Sequence, residues 1–338
     1  MGPPAGTPYG SAPYGAPPPR TSPFGNLFGQ PQPPPAGYGA GTQPWNVTPN
    51  PYPGQEPSSL YPNGLGIGPP EWNSADALRL FQNLRIRETW LAGGGDRAMQ
   101  INDFEIATTV QFPNFFGSTQ PLLISPNFVL HTWDGPKPPI LTHMPPLAYS
   151  AFVEAAYKSD PTRAFGGDLT TSIGVFSDFH TLTSDSIRVQ ALGYGWLRVT
   201  PTFMVKVGAQ YLDRNDIKIL PAIGVLWEPD AKTRFDIFFP KPKLAHYLTT
   251  IGNTDVWGYV GAEYGGGSWT IKRLDGTTDQ VDLNDIRLVG GLDWTCQSGF
   301  RGNFEVGWVT ARHGEFHYHL ADNFSLKDTI MLRFGLIY

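Results

Sequence analysis

Thr329-Ile330-Met331-Leu332-Arg333-Phe334-Gly335-Leu336-Ile337-Tyr338 reads as a single strand that ends on an aromatic residue. Side chains on a strand alternate, so Ile330, Leu332, Phe334, Leu336 and Tyr338 share one face, while Met331, Arg333, Gly335 and Ile337 share the other. In a soluble sheet the wholly apolar face would lie on a core. In an outer-membrane barrel it would lie against lipid, with Arg333 and Gly335 turned to a polar lumen. A strand closed by an aromatic residue fits the signal read by the barrel assembly machinery, which would then engage the chain at Tyr338. Many soluble sheets also end in a strand, so the remaining segments must decide.

They repeat the pattern. Phe104, Ile106, Thr108, Val110 and Phe112 oppose Asp103, Glu105, Ala107, Thr109 and Gln111. Phe203, Val205, Val207, Ala209 and Tyr211 oppose Met204, Lys206, Gly208 and Gln210. Ile187, Val189, Ala191 and Leu197 oppose Arg188, Gln190 and Arg198; Ile286, Leu288, Gly290, Leu292 and Trp294 oppose Arg287, Val289, Gly291 and Asp293; Phe304, Val306 and Trp308 oppose Glu305 and Gly307. A helix would scatter these charges around its circumference, whereas a strand gathers them on one side. Further strands are expected near 84–92, 122–131, 147–158, 168–179, 218–227, 233–240 and 255–266. Lengths of roughly nine to twelve residues suit a bilayer crossing better than the five or six usual in soluble sheets. The expectation is an all-β, up-and-down antiparallel transmembrane barrel of about twelve strands, within a range of roughly ten to fourteen, because bacterial barrels close on even numbers. Aromatics at strand ends (Trp90, Phe112, Tyr157, Phe179, Tyr211, Trp227, Trp257, Trp294, Trp308, Tyr338) read as girdles at the two interfaces.

Composition divides the 338 residues unevenly. The first seventy hold about twenty of the 34 prolines and two charged side chains, Arg20 and Glu56, too little apolar surface to offset chain entropy. Residues 1–73 are therefore expected to be a disordered Pro/Gly-rich arm, a spacer that could reach an envelope partner, and 74–338 the barrel domain, with a short helix over 75–82 capped by Ser74. A net charge of −5 offers no basic stripe for nucleic acid. One cysteine, Cys296, excludes an internal disulfide and a multi-cysteine metal site. No run of eighteen apolar residues could form a membrane helix. Met1-Gly2-Pro3-Pro4 lacks the basic and apolar regions of a secretory signal, so an outer-membrane location requires a signal segment upstream.

Several phrases then stand out as a set: Tyr211-Leu212-Asp213-Arg214-Asn215-Asp216-Ile217, Phe239-Pro240-Lys241-Pro242-Lys243-Leu244, Glu263-Tyr264-Gly265-Gly266-Gly267-Ser268-Trp269, Asn284-Asp285-Ile286-Arg287 and Phe304-Glu305-Val306-Gly307. With Tyr149 and Ser177-Asp178-Phe179, and in this order over residues 80–338, they resemble an uncharacterised outer-membrane β-barrel family of planctomycete-type bacteria, a domain of unknown function. The resemblance implies a fold and a location but no activity. The Pro-rich arm lies outside it.

The candidate chemistry is sparse. His313, Glu315, His317 and His319 would share one side of a strand and could gather a divalent metal, but the segment precedes the polar loop 321–327, and an exposed hairpin is the simpler reading. His131, His143, His180 and His246 are isolated. Gly265-Gly266-Gly267-Ser268 lacks the Lys-Ser/Thr and the helix of a phosphate cradle, and suits a bend or close strand approach instead. Ser172 with His131 or His180 is a conceivable hydrolase pair without a local signature. The informative polar set is lumen-facing: Glu105, Glu154, Asp168, Arg188, Arg198, Lys206, Asp236, Arg287, Asp293, Glu305 and Arg333. Both signs occur, which fits either a hydrated channel or a barrel closed by internal ion pairs. The expected role is passive, a pore for small polar solutes or a structural envelope barrel, in contact with outer-membrane lipid, with no cofactor, metal or catalytic residue assigned. A lipid-modifying outer-membrane hydrolase and a soluble ligand-binding sheet protein are the alternatives.

Overall fold

A computed structural model describes residues 83–113, 115, 120–160 and 163–338. The arm over 1–73 and the helix expected over 75–82 lie outside the described residues. The strands are β1 (Asn83–Leu91), β2 (Gln100–Phe112), β3 (Leu122–Asp134), β4 (Leu147–Lys158), β5 (Phe165–Ser177), β6 (Ile187–Thr200), β7 (Phe203–Tyr211), β8 (Ile219–Asp230), β9 (Thr233–Phe238), β10 (Lys243–Ile251), β11 (Thr254–Lys272), β12 (Thr278–Cys296), β13 (Arg301–Phe316), the two-residue β14 (Phe324–Ser325) and β15 (Thr329–Ile337).

From β1 to β13 each strand pairs antiparallel with the next, and β15 lies between β13 and β1. The ring therefore closes on itself with 14 strands, and β14 is an extra short strand on β13. At the seam the Leu84 N–H donates to the Tyr338 carbonyl (2.9 Å) and the Tyr338 N–H to that of Leu84 (3.0 Å). No edge is left open in the ring, which is how a β-structure satisfies its backbone in a medium that cannot. Among the described residues no helix is long and apolar enough to cross a membrane.

The thirteen segments expected from the sequence, reduced there to an even twelve, are all wall strands, and the fourteenth is β10. Its inward residues are Lys243 and Ala245, Leu244 and His246 face outward, and its register slips between Tyr247 and Thr249. That mixture, beginning directly after Pro240 and Pro242, carries no clean period of two. The run before Gly93 is a wall strand, β1, and half of the closing seam.

The face chosen by the oily residues is outward. Val207, Leu288, Val306 and Phe334 are 56%, 50%, 49% and 44% exposed, and Phe104, Ile106, Phe128, Val153, Leu169, Ile173, Val189, Ile223 and Val260 join them around the ring. A folded chain leaves so continuous an apolar belt uncovered only where the surrounding medium is itself apolar. Aromatics flank it: Phe112, Trp227 and Tyr338 on the side of the seam termini, and Phe179 and Tyr211 on the other. Trp257 departs from the expected girdle. It points inward, 8% exposed, and packs edge-on against Tyr247 (5.6 Å between centroids).

The two ends of the barrel differ. On the side of Asn83 and Tyr338, hairpins turn in two residues at 201–202, 231–232 and 252–253. On the far side the connections are longer, as at 135–146, 178–186 and 317–328, and β11, β12 and β13 run on past the wall. Apart from the nine-residue connection 113–121 at the first end, the shorter turns lie at one end and the longer loops at the other, as in outer-membrane barrels.

Candidate functional site

The period-two pattern sends charged side chains inward, and a 14-stranded ring is wider than the eight-stranded barrels whose interiors ordinary side chains fill. Something must occupy the space, and ion pairs do much of it. Glu105 on β2 receives Arg85 Nη2 (2.8 Å) and also pairs with Arg87; Arg85 Nη2 donates on to Asn127 Oδ1 (2.7 Å). From β15 Arg333 donates to Glu305 of β13 (2.7 Å) and to Glu263 of β11 (2.5 Å), and Glu263 also meets Arg287 (3.4 Å) and Lys241 (3.6 Å). Arg287 in turn pairs with Asp285 (2.7 Å). Two further pairs, Lys206 with Asp236 (2.9 Å) and Lys243 with Asp293 (2.7 Å), lie against aromatic rings: Lys206 over Phe238, and Lys243 over Tyr259 at 3.5 Å from the centroid. Charges taken out of water are tolerable only when paired and hydrogen-bonded in this way.

Of the expected lumen-facing residues, Glu105, Glu154, Arg188, Lys206, Asp236, Arg287, Asp293, Glu305 and Arg333 are buried on the inner face. Asp168 accepts the Tyr194 hydroxyl (2.7 Å). Arg198 sits at the short-turn rim, its guanidinium on the Pro201 carbonyl (3.1 Å).

The far mouth is crossed by the chain itself. The outer halves of β11 and β12 leave the wall, and residues 265–271 and 279–285 are buried on both faces, as no lipid-facing strand would be. The departure is made at Gly265-Gly266-Gly267. Gly266 has φ +88°, and a Cβ there would collide with the Leu283 carbonyl, so the bend needs glycine. From this hinge the hairpin reaches the opposite wall, where Thr270 pairs with Ser177 of β5, the Asp178 N–H donates to the Thr270 carbonyl (3.2 Å) and the Lys272 N–H to Asp178 Oδ2 (2.8 Å). Asp282, at the centre of the hairpin, accepts from Ser268 Oγ (2.5 Å) and the Asn215 N–H (2.6 Å), which ties in the 212–218 loop. Beneath and around it Trp269, Ile271, Val281 and Leu283 pack with Trp133, Phe152, Phe176 and Phe316 into one apolar cluster. At the exposed tip, Asp275 accepts from the Thr277 hydroxyl (2.6 Å) and N–H (2.9 Å), and these bonds hold its carboxyl below the usual range.

Under this cap lies an arrangement with the form of acyl-transfer chemistry. Adjacent strands β2, β3 and β4 bring together Asp103, His131 and Ser150. His131 Nδ1 is 2.6 Å from Asp103 Oδ1, and His131 Nε2 is 2.9 Å from Ser150 Oγ. Trp269 Nε1 lies 3.2 Å from the same Ser150 oxygen, and the indole stands edge-on to the imidazole at 4.8 Å. Hydrogen-bond polarity orders this chain. An indole N–H can only donate, so the Ser150 oxygen accepts from it; an ionised carboxylate can only accept, so His131 carries its proton on Nδ1; Nε2 is then free to accept the Ser150 hydroxyl.

The other sequence candidates are dispersed. His131 meets Ser150 rather than Ser172. Ser150 is paired with Phe176 of β5, so Ser172 lies four residues down that strand, about 13 Å along the wall. His180 turns back on the Asp178 carbonyl (3.1 Å), His143 is exposed in the 135–146 loop, and His246 faces outward. In the 313–319 run a bulge at Ala311, φ +50°, reverses the alternation of β13, so His313 and Glu315 point away from the lumen, 3.9 Å apart, while His319 binds Asp279 (2.7 Å). No group of three metal-ligating residues converges among the described residues. Sequence reading missed Ser150 and Asp103 because their link to His131 runs across strands separated by loops, with no local motif to mark it.

The chain matches no family model and no curated protein. Among solved structures it is similar to LpxR from Salmonella typhimurium, with 8% identity over 76% of this chain and 99% of that one at a TM-score of 0.35. It is also similar to OccK5 (OpdH) from Pseudomonas aeruginosa, with 11% identity over 76% and 97% at a TM-score of 0.23.

Proposed function

We propose that the chain is a sealed outer-membrane barrel with a structural role in the envelope, rather than an open pore. One observation carries this reading: inward charges from β1, β2, β7, β9, β10, β11, β12, β13 and β15 are buried in ion pairs, and the chain's own hairpin bridges the far mouth. A diffusion pore needs water-exposed charge along its axis, and these side chains are withdrawn from water. The outward apolar belt supports placement in lipid, and the loop asymmetry supports an orientation with the Asn83 and Tyr338 end toward the periplasm, where the Pro-rich arm would reach other envelope components.

Planar-bilayer recording tests the reading. The purified full chain gives no conductance steps above the bilayer baseline at ±100 mV. Regular steps from the wild-type protein would refute the sealed reading and restore the diffusion pore.

A further inference from the structure

Beyond the sealed barrel, we propose that Ser150, His131 and Asp103 form a hydrolytic triad for carboxylic esters of acyl-chain amphiphiles, sheathed by Trp269. Three observations lead to it. The hydrogen bonds run in the order a nucleophile needs, with the serine hydroxyl on an imidazole whose second nitrogen is fixed by a carboxylate. The three are built on neighbouring wall strands, a more rigid support than a loop. The surroundings of Ser150 are also selective: Trp133, Ala148, Phe152 and Phe176 give an apolar lining on the triad side of the cap. Near the cap tip a cavity of about 680 Å³ opens between loops, with Ile140, Leu141 and Leu274 beside Arg97, Arg273, Asp275 and Asp322, where Arg273 is ion-paired with Asp279 and Asp322. Apolar groups beside polar groups of both signs suit an acyl chain attached to a polar headgroup.

In the step, Ser150 Oγ bonds to the ester carbonyl carbon while its proton passes to His131 Nε2. The ester C–O bond then breaks, and the alcohol leaves with that proton. Water deacylates the serine by the reverse route, so ester and water give acid and alcohol with no other reactant. Asp103 is a positioning residue that holds the imidazole in the accepting tautomer. Ser150 is fully buried as the structure stands, and the Trp269 indole occupies the approach to its oxygen. The Gly265-Gly266-Gly267 hinge is where the hairpin would lift it.

The test uses the full chain refolded in detergent and an alkyl fluorophosphonate, with mass spectrometry locating the adduct. Ser150 is labelled slowly in wild type and at least tenfold faster in Trp269→Ala; Ser150→Ala abolishes the adduct. Trp269→Phe keeps the ring and removes the N–H, so it guards against a folding failure of the alanine variant and also labels faster than wild type. In the Trp269→Ala background, phosphatidylcholine vesicles release fatty acid, and Asp103→Asn lowers kcat by about 10⁴-fold with KM unchanged. Absence of Ser150 labelling in wild type and both Trp269 variants, all migrating as folded barrels, would overturn the triad. Turnover of p-nitrophenyl butyrate without fatty acid release from the vesicles would overturn the amphiphile assignment. Conductance is recorded separately, so failure of the sealed reading is distinguishable from failure of the triad.

Discussion

Val207→Arg is the perturbation that weighs the outward belt directly. Val207 is the middle residue of the nine in β7, 56% exposed on the outer face, and sits between Gly195 and Ile223 of the neighbouring strands. Gly195 gives an arginine no carboxylate there, and the girdles at either strand end are several residues away, so its guanidinium faces hydrocarbon. At the bilayer midplane this costs about 2–4 kcal/mol, a loss of about 30- to 700-fold in the folding equilibrium. Val199 is the internal comparison. It is equally outward at 52% exposure but lies next to the short turn at 201–202, where the same substitution costs about 0–1 kcal/mol. Reversible guanidinium unfolding from phosphatidylcholine vesicles, followed by tryptophan fluorescence, measures both. The reasoning fails if arginine at 207 is no more destabilising than arginine at 199, because depth would then not matter.

Arg333→Leu removes the shared partner of Glu263 and Glu305. Glu263 keeps Lys241 and Arg287, and Glu305 keeps the Tyr259 hydroxyl at 2.6 Å, so the loss should fall near the low end for a broken buried pair, about 3 kcal/mol in the same unfolding assay. Gly266→Ala places a side chain at φ +88° against the Leu283 carbonyl, at a cost of about 1–3 kcal/mol borne by the cap. Trypsin should then cut at Lys272 or Arg273 within minutes while the wall keeps its heat-resistant mobility on gels; an uncut tip would show that the bend tolerates a Cβ.

Most of the wall was legible because one physical rule, oily side out and charge side in, acts at every second residue of long strands such as β2, β7 and β13. It failed where that rule is locally suspended. In β10 alanine and lysine face in while histidine faces out, so no contrast remains, and at Ala311 one bulge shifts the alternation of β13, so that His313 and Glu315 face outward beyond it. The candidate site was legible only in part. The triple glycine announced a bend, but the path of the hairpin is set by Trp269 meeting Ser150 and by Thr270 meeting Ser177, contacts across the width of the ring. His131 was noticed without its partners, since register between β2, β3 and β4 depends on how the 113–121 and 135–146 connections close.

The seam between β1 and β15 has a consequence for biogenesis. Two strands separated by more than two hundred residues must find each other before the cylinder exists, and until then β1 and β15 each carry a bare row of amide and carbonyl groups. Such a half-made cylinder cannot rest stably in lipid, so insertion and zipping of the final pair must be nearly simultaneous, and clipping Phe334 to Tyr338 should strand the protein before that event rather than merely loosen its finished form.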